Sequence, residues 1–542
     1  MGRLYRGFAH DKHGGLIVCR SGIACSFSKL RPTTRPDSLN RRTLSSCTNT
    51  EPSAPRRPSP LLPPCRQSPP SELPGRGGGS HVPDRRQPPP RSQGFLRRVS
   101  DTLGLRFLHS TLPLVLMGIH NLVTSAIWIE SPAATVGLYI DCGSMYETPG
   151  SSGASHLLER MSFKSTTNRS HLRLVREVES IGGNVSAIAT REQMCYTYDA
   201  FRAYVPDMVE VLIDSVRNPA FLDWEVKEQL EEIKAEIAEF SANPQGLLLE
   251  ALHSAGYTGA LANPLIAPEP AIHKLDSSIL KEFIAENYTA PRMVLAASGV
   301  EHDVLVSIAE PLLSDLPAVK RPEEPKSVYV GGDYRCQADC QNTHVALAFE
   351  VPGGWYEEKT AITVTVLQKL MGGGDWFCTG GVGKGLYSRL SLRILSHYHQ
   401  IESFSAFNHI YNYSGLFGIL ATTSPDFASK AVDLAAGELL EVATPGNVTQ
   451  GQLDQAKQAA KCKVLMDLES RAVACEDIGR QVMTYGERKP IEKFLNDVEA
   501  ITLNDISSTA KNIISTPLTM ASWGDVTNVP TYESVSRKFH SK

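Results

Sequence analysis

The segment Thr135–Glu147 (TVGLYIDCGSMYE) alternates apolar and small side chains with the period of a β-strand, then turns at Gly143 towards a helix. A second segment, His344–Glu357 (HVALAFEVPGGWYE), has the same pattern 209 residues further along the chain. Leu280–Val300 and Ile506–Val526 form another pair, each with a helix, a proline-containing turn and an apolar strand. The sequence therefore predicts two related domains, each of about 200 residues.

Long amphipathic helices are predicted between these strands, without regular alternation of strand and helix. Mixed strands and helices of this kind indicate the α+β class. We predict a first domain over residues 111–320, a linker rich in Pro, Lys and Glu over residues 321–336, and a second domain over residues 337–542.

The first 110 residues differ from the rest in composition. They contain 19 Lys and Arg against 6 Asp and Glu, and 15 of the chain's 35 prolines. Such a segment cannot bury enough apolar surface to fold, so residues 1–110 are predicted to be disordered. Their richness in Arg and Ser is typical of an organelle transit peptide. A disordered basic tail without a targeting role is the alternative.

The remaining residues carry 35 basic and 52 acidic side chains, a net charge of −17. An acidic body attracts basic partners at long range. The sequence contains no basic patch interleaved with aromatic residues, so nucleic acid is not expected as a partner. The eleven cysteines include no Cys-x-x-Cys pair, which argues against a disulfide framework or a cysteine zinc site and suits a reducing compartment.

Leu112–Ile129 is the longest apolar run of the chain. His120 and Asn121 interrupt it near its middle, and a membrane-spanning helix needs about 20 mostly apolar residues. We therefore expect no membrane span here.

Residues 153–160 (GASHLLER) follow the first repeated strand and resemble an inverted zinc-binding motif, His-x-x-Glu-His. His156 and Glu159 occupy the positions of the first ligand and the general base, but Arg160 stands where the second imidazole belongs. A guanidinium stays charged and has no lone pair for a metal. Glu236, 76 residues later, lies where a third, carboxylate ligand is expected. With the family resemblance described next, the motif predicts a vestigial site in which Arg160 pairs with Glu159, Glu236 or both. The alternative is an ordinary helix histidine beside a solvent-facing arginine.

Several longer segments resemble the pitrilysin/insulysin-type metallopeptidases, and within them the noncatalytic alpha subunits of mitochondrial processing peptidases. The resemblance covers about Ala133 to Lys542 and is carried by Gly137–Pro149, Ser155–Thr166, Met208–Glu225, Met371–Leu390 and Leu468–Arg480. It implies that each half is a mainly antiparallel sheet backed by helices, and that the halves face each other as half of a clamshell. It also implies no cofactor in this chain and a zinc ion in a partner beta subunit.

The segment Gly372–Gly385 (GGGDWFCTGGVGKG) is rich in glycine. A phosphate-binding loop is excluded, because Cys378 stands where its first glycine is needed and Gly385 where Ser or Thr must follow Lys384. The resemblance implies that this loop binds presequences, the basic targeting peptides of mitochondrial precursors. The residues assigned to that role are Gly372, Gly373, Gly374, Asp375, Gly380, Gly381, Gly383, Lys384 and Gly385. Trp376 and Val382 depart from the small or rigid residues of the family, and a plain structural loop is the alternative.

Together with Arg160, the resemblance implies a noncatalytic, presequence-binding subunit that works with a zinc-bearing beta subunit. The resemblance adds a second role as a core subunit of respiratory complex III, and a location in the mitochondrial matrix and on the matrix face of the inner membrane. A purely structural core protein is the alternative. An independent metallopeptidase is disfavoured by Arg160.

Overall fold

The computed structural model describes residues 118–119, 122–127, 131–241, 243–316, 319, 323–375 and 387–540 of the chain, with the backbone alone in residues 118–119, 122–127, 374 and 375. The predicted targeting region, residues 1–110, lies outside the described residues.

The strands run as follows: β1 Gly118–Ile119, β2 Leu122–Ile127, β3 Ala133–Ile140, β4 Asn184–Ala189, β5 Met194–Phe201, β6 Tyr257–Gly259, β7 Met293–Ser298, β8 Ser327–Tyr329, β9 Gly332–Gln337, β10 Thr343–Glu350, β11 Gly373–Asp375, β12 Ile401–Ile410, β13 Gly415–Thr423 and β14 Thr519–Gly524. The helices are α1 Ala154–Met161, α2 His171–Ser180, α3 Val205–Arg217, α4 Asp223–Phe240, α5 Pro244–Gly256, α6 Glu269–Ile272, α7 Ser277–Asn287, α8 His302–Leu313, α9 Glu358–Met371, α10 Ala428–Ala443, α11 Gln450–Leu468, α12 Arg471–Tyr485, α13 Ile491–Ala500, α14 Leu503–Ile514 and α15 Tyr532–His540.

Two six-stranded sheets share the arrangement of five strands, and their sixth strands, β1 and β11, lie at opposite edges of it. The first has the order β1-β2-β7-β3-β5-β4 and the second the order β11-β12-β13-β10-β14-β9. In each sheet one pair is parallel, β2 with β7 and β9 with β14, and the other pairs are antiparallel. The fold is therefore α+β with two repeated, mainly antiparallel sheets, as the sequence repeats predict.

The two repeats also match at their turns. After β3, the backbone N–H of Ser144 donates to the carbonyl of Thr190, at the tip of the β4–β5 hairpin, over 3.2 Å. After β10, the N–H of Trp355 donates to the carbonyl of Tyr411, at the tip of the β12–β13 hairpin, over 2.8 Å. A side chain at Gly143 would come within 2.2 Å of the Thr190 carbonyl oxygen, which explains the glycine at this turn.

The central strands β3 and β10 are buried on both faces. On β3, Val136, Leu138 and Ile140 face the main core of the first lobe, while Tyr139 faces the opposite side. This follows from the two-residue period of a strand. The main cores are completed by α1, α3, α4, α7 and α8 in the first lobe, and by α9, α10, α11, α14 and α15 in the second.

The opposite face of each sheet is covered by a helix from the other half of the chain. Helix α12 packs on β2, β3 and β7, where Cys475, Ile478 and Val482 meet Tyr139. Helix α5 packs on β9, β10 and β14, where Leu248 and Leu252 lie against the second sheet. The two lobes therefore exchange helices.

The second sheet begins inside the range predicted as a linker. Residues 321–336 contain β8 and nearly all of β9. The side chains of Asp333, Tyr334 and Arg335 are exposed because β9 is the edge strand, so its composition does not reveal a strand.

The apolar run Leu112–Ile129 contributes β2, which takes the same place beside β7 that β9 takes beside β14. Among the described residues, no helix combines the length and the apolar character needed to cross a membrane.

A prediction concerns the helix exchange. A Cβ atom at Gly479 on α12 would come within 2.3 Å of the buried Tyr139 ring. We expect Gly479→Ala to destabilise the protein by about 1–3 kcal/mol through overpacking. In the exposed helix position Gly437 a Cβ would meet nothing within 4 Å, so Gly437→Ala should instead stabilise by about 0.5–1 kcal/mol. Urea unfolding of the two variants measures both effects, and equal shifts would contradict the packing described.

Candidate functional site

Helix α1 is anchored at its N-terminus by a carboxylate. The Glu147 oxygens accept the backbone N–H groups of Gly153 and Ser155, over 2.7 and 2.9 Å. A carboxylate at this position is favoured by the helix dipole and satisfies N–H groups that have no partner within the helix. Burial nevertheless raises the pKa of Glu147 to about 7, although both hydrogen bonds oppose that rise.

His156, on the next turn of α1, is only 6% exposed and has both ring nitrogens engaged. Its Nδ1 accepts the backbone N–H of Ala267 over 3.2 Å, and its Nε2 lies 3.3 Å from Oε2 of Glu236 on α4. Because a backbone N–H can only donate, Nδ1 carries no proton. The ring proton therefore sits on Nε2, the nitrogen that faces Glu236.

Arg160, one turn further along α1, binds the same carboxylate. Its Nε donates to Oε2 of Glu236 over 3.1 Å, and its Nη2 donates to Oε1. This is a two-point contact between a planar guanidinium and a carboxylate. Burial lowers the pKa of Arg160, and the exposed Glu232 carboxylate opposes that shift. Of the two partners predicted for Arg160, the structure places Glu236 against it.

Glu159 accepts the backbone N–H of Ala189, at the end of β4, over 3.2 Å. Burial raises the pKa of this carboxyl to about 7, with the Ala189 hydrogen bond opposing the rise. The residue thus ties α1 to the edge strand of the first sheet.

These residues do not fit a zinc ion. An open zinc site needs three protein ligands with free lone pairs. Arg160 supplies none, and both oxygens of Glu236 already accept hydrogen bonds from Arg160. A metal-bound histidine also donates its other ring nitrogen to an acceptor, whereas Nδ1 of His156 faces the Ala267 donor. The described part of the chain contains no group of three or more His, Cys, Asp or Glu residues that could hold a metal.

The second predicted site lies in the other lobe, after α9. Gly372 and Gly373 both have positive φ, +61° and +94°. A Cβ at Gly372 would come within 2.2 Å of the Ser388 side chain, and one at Gly373 within 2.0 Å of the Phe404 carbonyl oxygen. Residues 373–375 form β11, which pairs with β12. Gly380, Gly381, Gly383, Lys384 and Gly385 lie outside the described residues.

The sequence alone did not indicate several of these contacts. Ala267 acts only through its backbone N–H, and no side-chain pattern marks such a donor. Glu147 closes the first repeat, and its place shortly before the helix is a usable signal for a cap. Ser388 and Arg389 follow the glycine-rich segment and contact Gly373 and Glu438 respectively.

Two family models match consecutive parts of the chain. Residues 126–269 match the insulinase family, peptidase family M16, and residues 274–460 match the peptidase M16 inactive domain. The chain belongs to the M16 peptidase family. The boundary between the two matched regions falls before α7, so the second match also includes α7, β7 and α8, which belong to the first repeat of this M16 protein.

Similar proteins share most of the length of this M16 chain. The mitochondrial-processing peptidase subunit alpha of Solanum tuberosum is 66% identical over 412 residues, which cover 76% of this chain and 82% of that protein. The human cytochrome b-c1 complex subunit 2, mitochondrial, is 32% identical over 411 residues, or 76% of this chain and 89% of that protein. A chain in the structure of complex III2 from Candida albicans with Inz-5 bound has the same fold, with a TM-score of 0.67 at 18% identity, covering 77% of this chain and 97% of that one.

A first prediction at this site concerns zinc. Arg160→His completes the His-x-x-Glu-His pattern, yet we expect it to leave the M16 chain without stoichiometric zinc. The Ala267 N–H still disfavours the form of the His156 ring that carries its proton on Nδ1 and binds a metal through Nε2. A metal-bound histidine that lacks an acceptor for its other ring nitrogen has a metal affinity about 10- to 100-fold lower. Elemental analysis after dialysis against zinc-free buffer measures the content, with the unchanged chain as control. One zinc per variant chain would refute the argument from His156.

A second prediction concerns pH. The carboxyl of an unfolded glutamate has a pKa of about 4.3, whereas burial raises the pKa of Glu159 in the folded protein to about 7. At a pH between these two values the folded state therefore keeps a proton that the unfolded state has released. The resulting stability is present below the lower pKa and is lost as pH rises through the higher one. Glu159→Gln should therefore gain thermal stability relative to the unchanged chain between pH 5 and pH 8. A pH-independent difference in melting temperature would contradict this.

Proposed function

We propose that this chain is the noncatalytic alpha subunit of a mitochondrial processing peptidase. It binds basic presequences and presents them to a zinc-bearing beta subunit, which hydrolyses them. One observation carries the proposal: Arg160 occupies the position of a zinc ligand and binds both oxygens of Glu236. The identity with the potato alpha subunit over most of the chain supports the same conclusion.

Without a metal, the α1 helix has no means to activate water for peptide hydrolysis. Metal-assisted hydrolysis requires an open coordination position at which water loses a proton. Here the corresponding space holds a guanidinium, which neither binds water as a Lewis acid nor accepts its proton. The catalytic step of the complex therefore belongs to the partner.

Charge supports a basic substrate. Beyond residue 110 the chain has a net charge of −17, and helix α4 exposes Glu228, Glu231, Glu232 and Glu239 to solvent. Presequences are basic amphipathic helices, so this field attracts them and increases their encounter rate with the subunit. The glycine-rich segment, Gly372 to Gly385, is proposed to make the direct contacts, through backbone groups that glycine leaves accessible.

A second role, as a core subunit of respiratory complex III, is proposed from the relatives. One similar protein is named as a cytochrome b-c1 complex subunit, and a chain from a complex III structure shares the fold. We place the protein in the mitochondrial matrix and on the matrix face of the inner membrane. A purely structural core protein is the second candidate, and Trp376 and Val382 within the glycine-rich segment favour it.

The test uses the chain with and without its beta partner. We expect no cleavage of a basic presequence peptide by the chain alone, and cleavage by the alpha–beta complex that a chelator abolishes. Replacing residues 376–385 by a short Gly-Ser linker should raise KM about tenfold or more and leave kcat little changed, because the lost interaction is one of binding.

Co-purification with the beta subunit and an unchanged melting temperature serve as controls for the linker variant. Chelator-sensitive cleavage by the chain alone would overturn the noncatalytic assignment. An unchanged KM in the linker variant would leave only the structural role.

A further inference from the structure

The tips of two hairpins meet between the lobes. The β4–β5 hairpin of the first lobe contributes Arg191 and Glu192, which are 4% and 2% exposed. The β12–β13 hairpin of the second lobe contributes Tyr411 and Asn412, which are also buried. The backbone N–H of Asn412 donates to Oε1 of Glu192 over 2.7 Å, so one hairpin is bonded directly to the other. These residues form the hairpin junction.

Helix α5 adds His253 to the hairpin junction, and this residue is 1% exposed. Its Nδ1 lies 2.7 Å from the carbonyl oxygen of Leu249, which can only accept, so Nδ1 carries the ring proton. In the neutral ring Nε2 is an acceptor, and the Tyr411 hydroxyl donates to it over 2.6 Å. The contact between α5 and the second hairpin therefore requires the neutral form of His253.

Arg191 brings a buried positive charge to the same place. Its Nη2 donates to Oε2 of Glu250 over 2.8 Å, and its guanidinium also donates to the Tyr411 hydroxyl. Burial lowers the pKa of His253 well below its usual value, and the charge of Arg191 and the neighbouring His409 ring lower it further. A second positive charge is thus strongly disfavoured while the hairpin junction is closed.

His409, on β12, is a second titratable ring beside His253. The two ring centroids are 5.9 Å apart, and Nε2 of His409 is buried without a hydrogen-bond partner among the described residues. Burial and the Arg191 charge lower the pKa of His409 to about 4. The other ionisable groups around this cluster are Glu192, Glu250, Tyr257, Glu350 and Tyr411.

The remaining strands that pack on α5 add no charge to the cluster. The charged side chains of β9, Asp333 and Arg335, are exposed to solvent, and β14 contains no ionisable side chain. His344 of β10 contacts Thr422 and Trp523, inside the second lobe.

We propose that His253 is a proton-sensitive latch between the lobes, closed through Tyr411 when the ring is neutral and released when the ring is protonated. A protonated ring turns an N–H towards the Tyr411 hydroxyl, which can then no longer donate to it, and sets a second cation beside Arg191. Once the lobes separate, the ring meets water and takes up a proton with its ordinary pKa of about 6.5. The latch acts whether or not the chain binds presequences.

The sign of the pH dependence follows from the lowered pKa of His253. The closed state keeps its full advantage above a pH of about 6.5, and loses it as the pH falls towards the lowered value. Within this window each pH unit changes the ratio of separated to closed molecules about tenfold for one proton. Glu147 and Glu159 act in the opposite direction, since burial raises the pKa of each carboxyl to about 7. Acid therefore opens the latch without weakening the first lobe through these groups.

Three cysteines report on separation of the lobes. Cys475 on α12 is fully buried against the first sheet, beside Tyr139, so a thiol reagent reaches it when the lobes part. Cys142 lies in the main core of the first lobe and reports unfolding of that lobe. Cys462 on α11 is exposed and measures the intrinsic rate of the reagent.

The experiment labels the full chain with a pyridyl disulfide, which reacts with thiols in acid, and quantifies the labelled peptides by mass spectrometry. We expect the labelling rate of Cys475 relative to Cys462 to rise about tenfold or more from pH 7.5 to pH 5.5, while Cys142 stays protected. A constant ratio would overturn the proposal. Equal labelling of Cys142 and Cys475 would also overturn it, because the chain would then be unfolding.

Two variants assign the effect to one ring. His253→Gln cannot take up the proton, so the rise in Cys475 labelling should be about tenfold smaller than in the unchanged chain. His344→Gln is the matched control, because burial lowers the pKa of His344 to about 4 although its contacts lie inside the second lobe; it should keep the full rise. A loss of the rise in both variants, or in neither, would refute the latch.

Should His253→Gln fail to fold, Tyr411→Phe decides. This change removes the hydroxyl that requires a neutral ring and leaves His253 in place. Protonation then costs less in the closed state, so the rise in Cys475 labelling should be at least about twofold smaller. An unchanged rise would overturn the proposal.

Discussion

In the first lobe, the contact between Arg160 and Glu236 joins helix α1 to helix α4. In a zinc site the metal joins its ligand helices, since each donates a lone pair to a shared ion. Here a guanidinium attached to α1 makes the equivalent connection to α4 and uses both carboxylate oxygens. His156 Nε2 lies 3.3 Å from the same carboxylate. The positive charge that joins α1 to α4 is thus supplied by a side chain of the protein itself.

The inner polar contacts of this site depend on each other. Ala267 fixes the His156 ring form, the ring proton points at Glu236, and the Glu236 carboxylate is thereby placed to receive Arg160 from the other side. Such a network is stable because each buried polar group has a partner.

The sequence alone predicts the features that local patterns encode. The repeated strands, the α+β class and the spacing of His156, Arg160 and Glu236 follow from periodicity and from a motif with one altered position. It does not predict contacts made by distant backbone groups, such as the Ala267 N–H, because every residue type except proline has the same backbone donor. It also placed a linker where β9 runs, because an edge strand with exposed polar residues has the composition of a loop. The helix exchange is beyond any local pattern, since α12 and β3 lie far apart in sequence.

The exchange of α5 and α12 has a consequence for how the molecule is made. The ribosome delivers the first sheet long before the residues of α12, so the face that carries Tyr139 has no cover while the second half is still being synthesised. Contacts this distant in sequence give a high contact order, and folding of such chains is slow. An uncovered apolar sheet is also prone to self-association. The nascent protein therefore exposes this face until α12 emerges, and either half expressed alone would leave one sheet face uncovered.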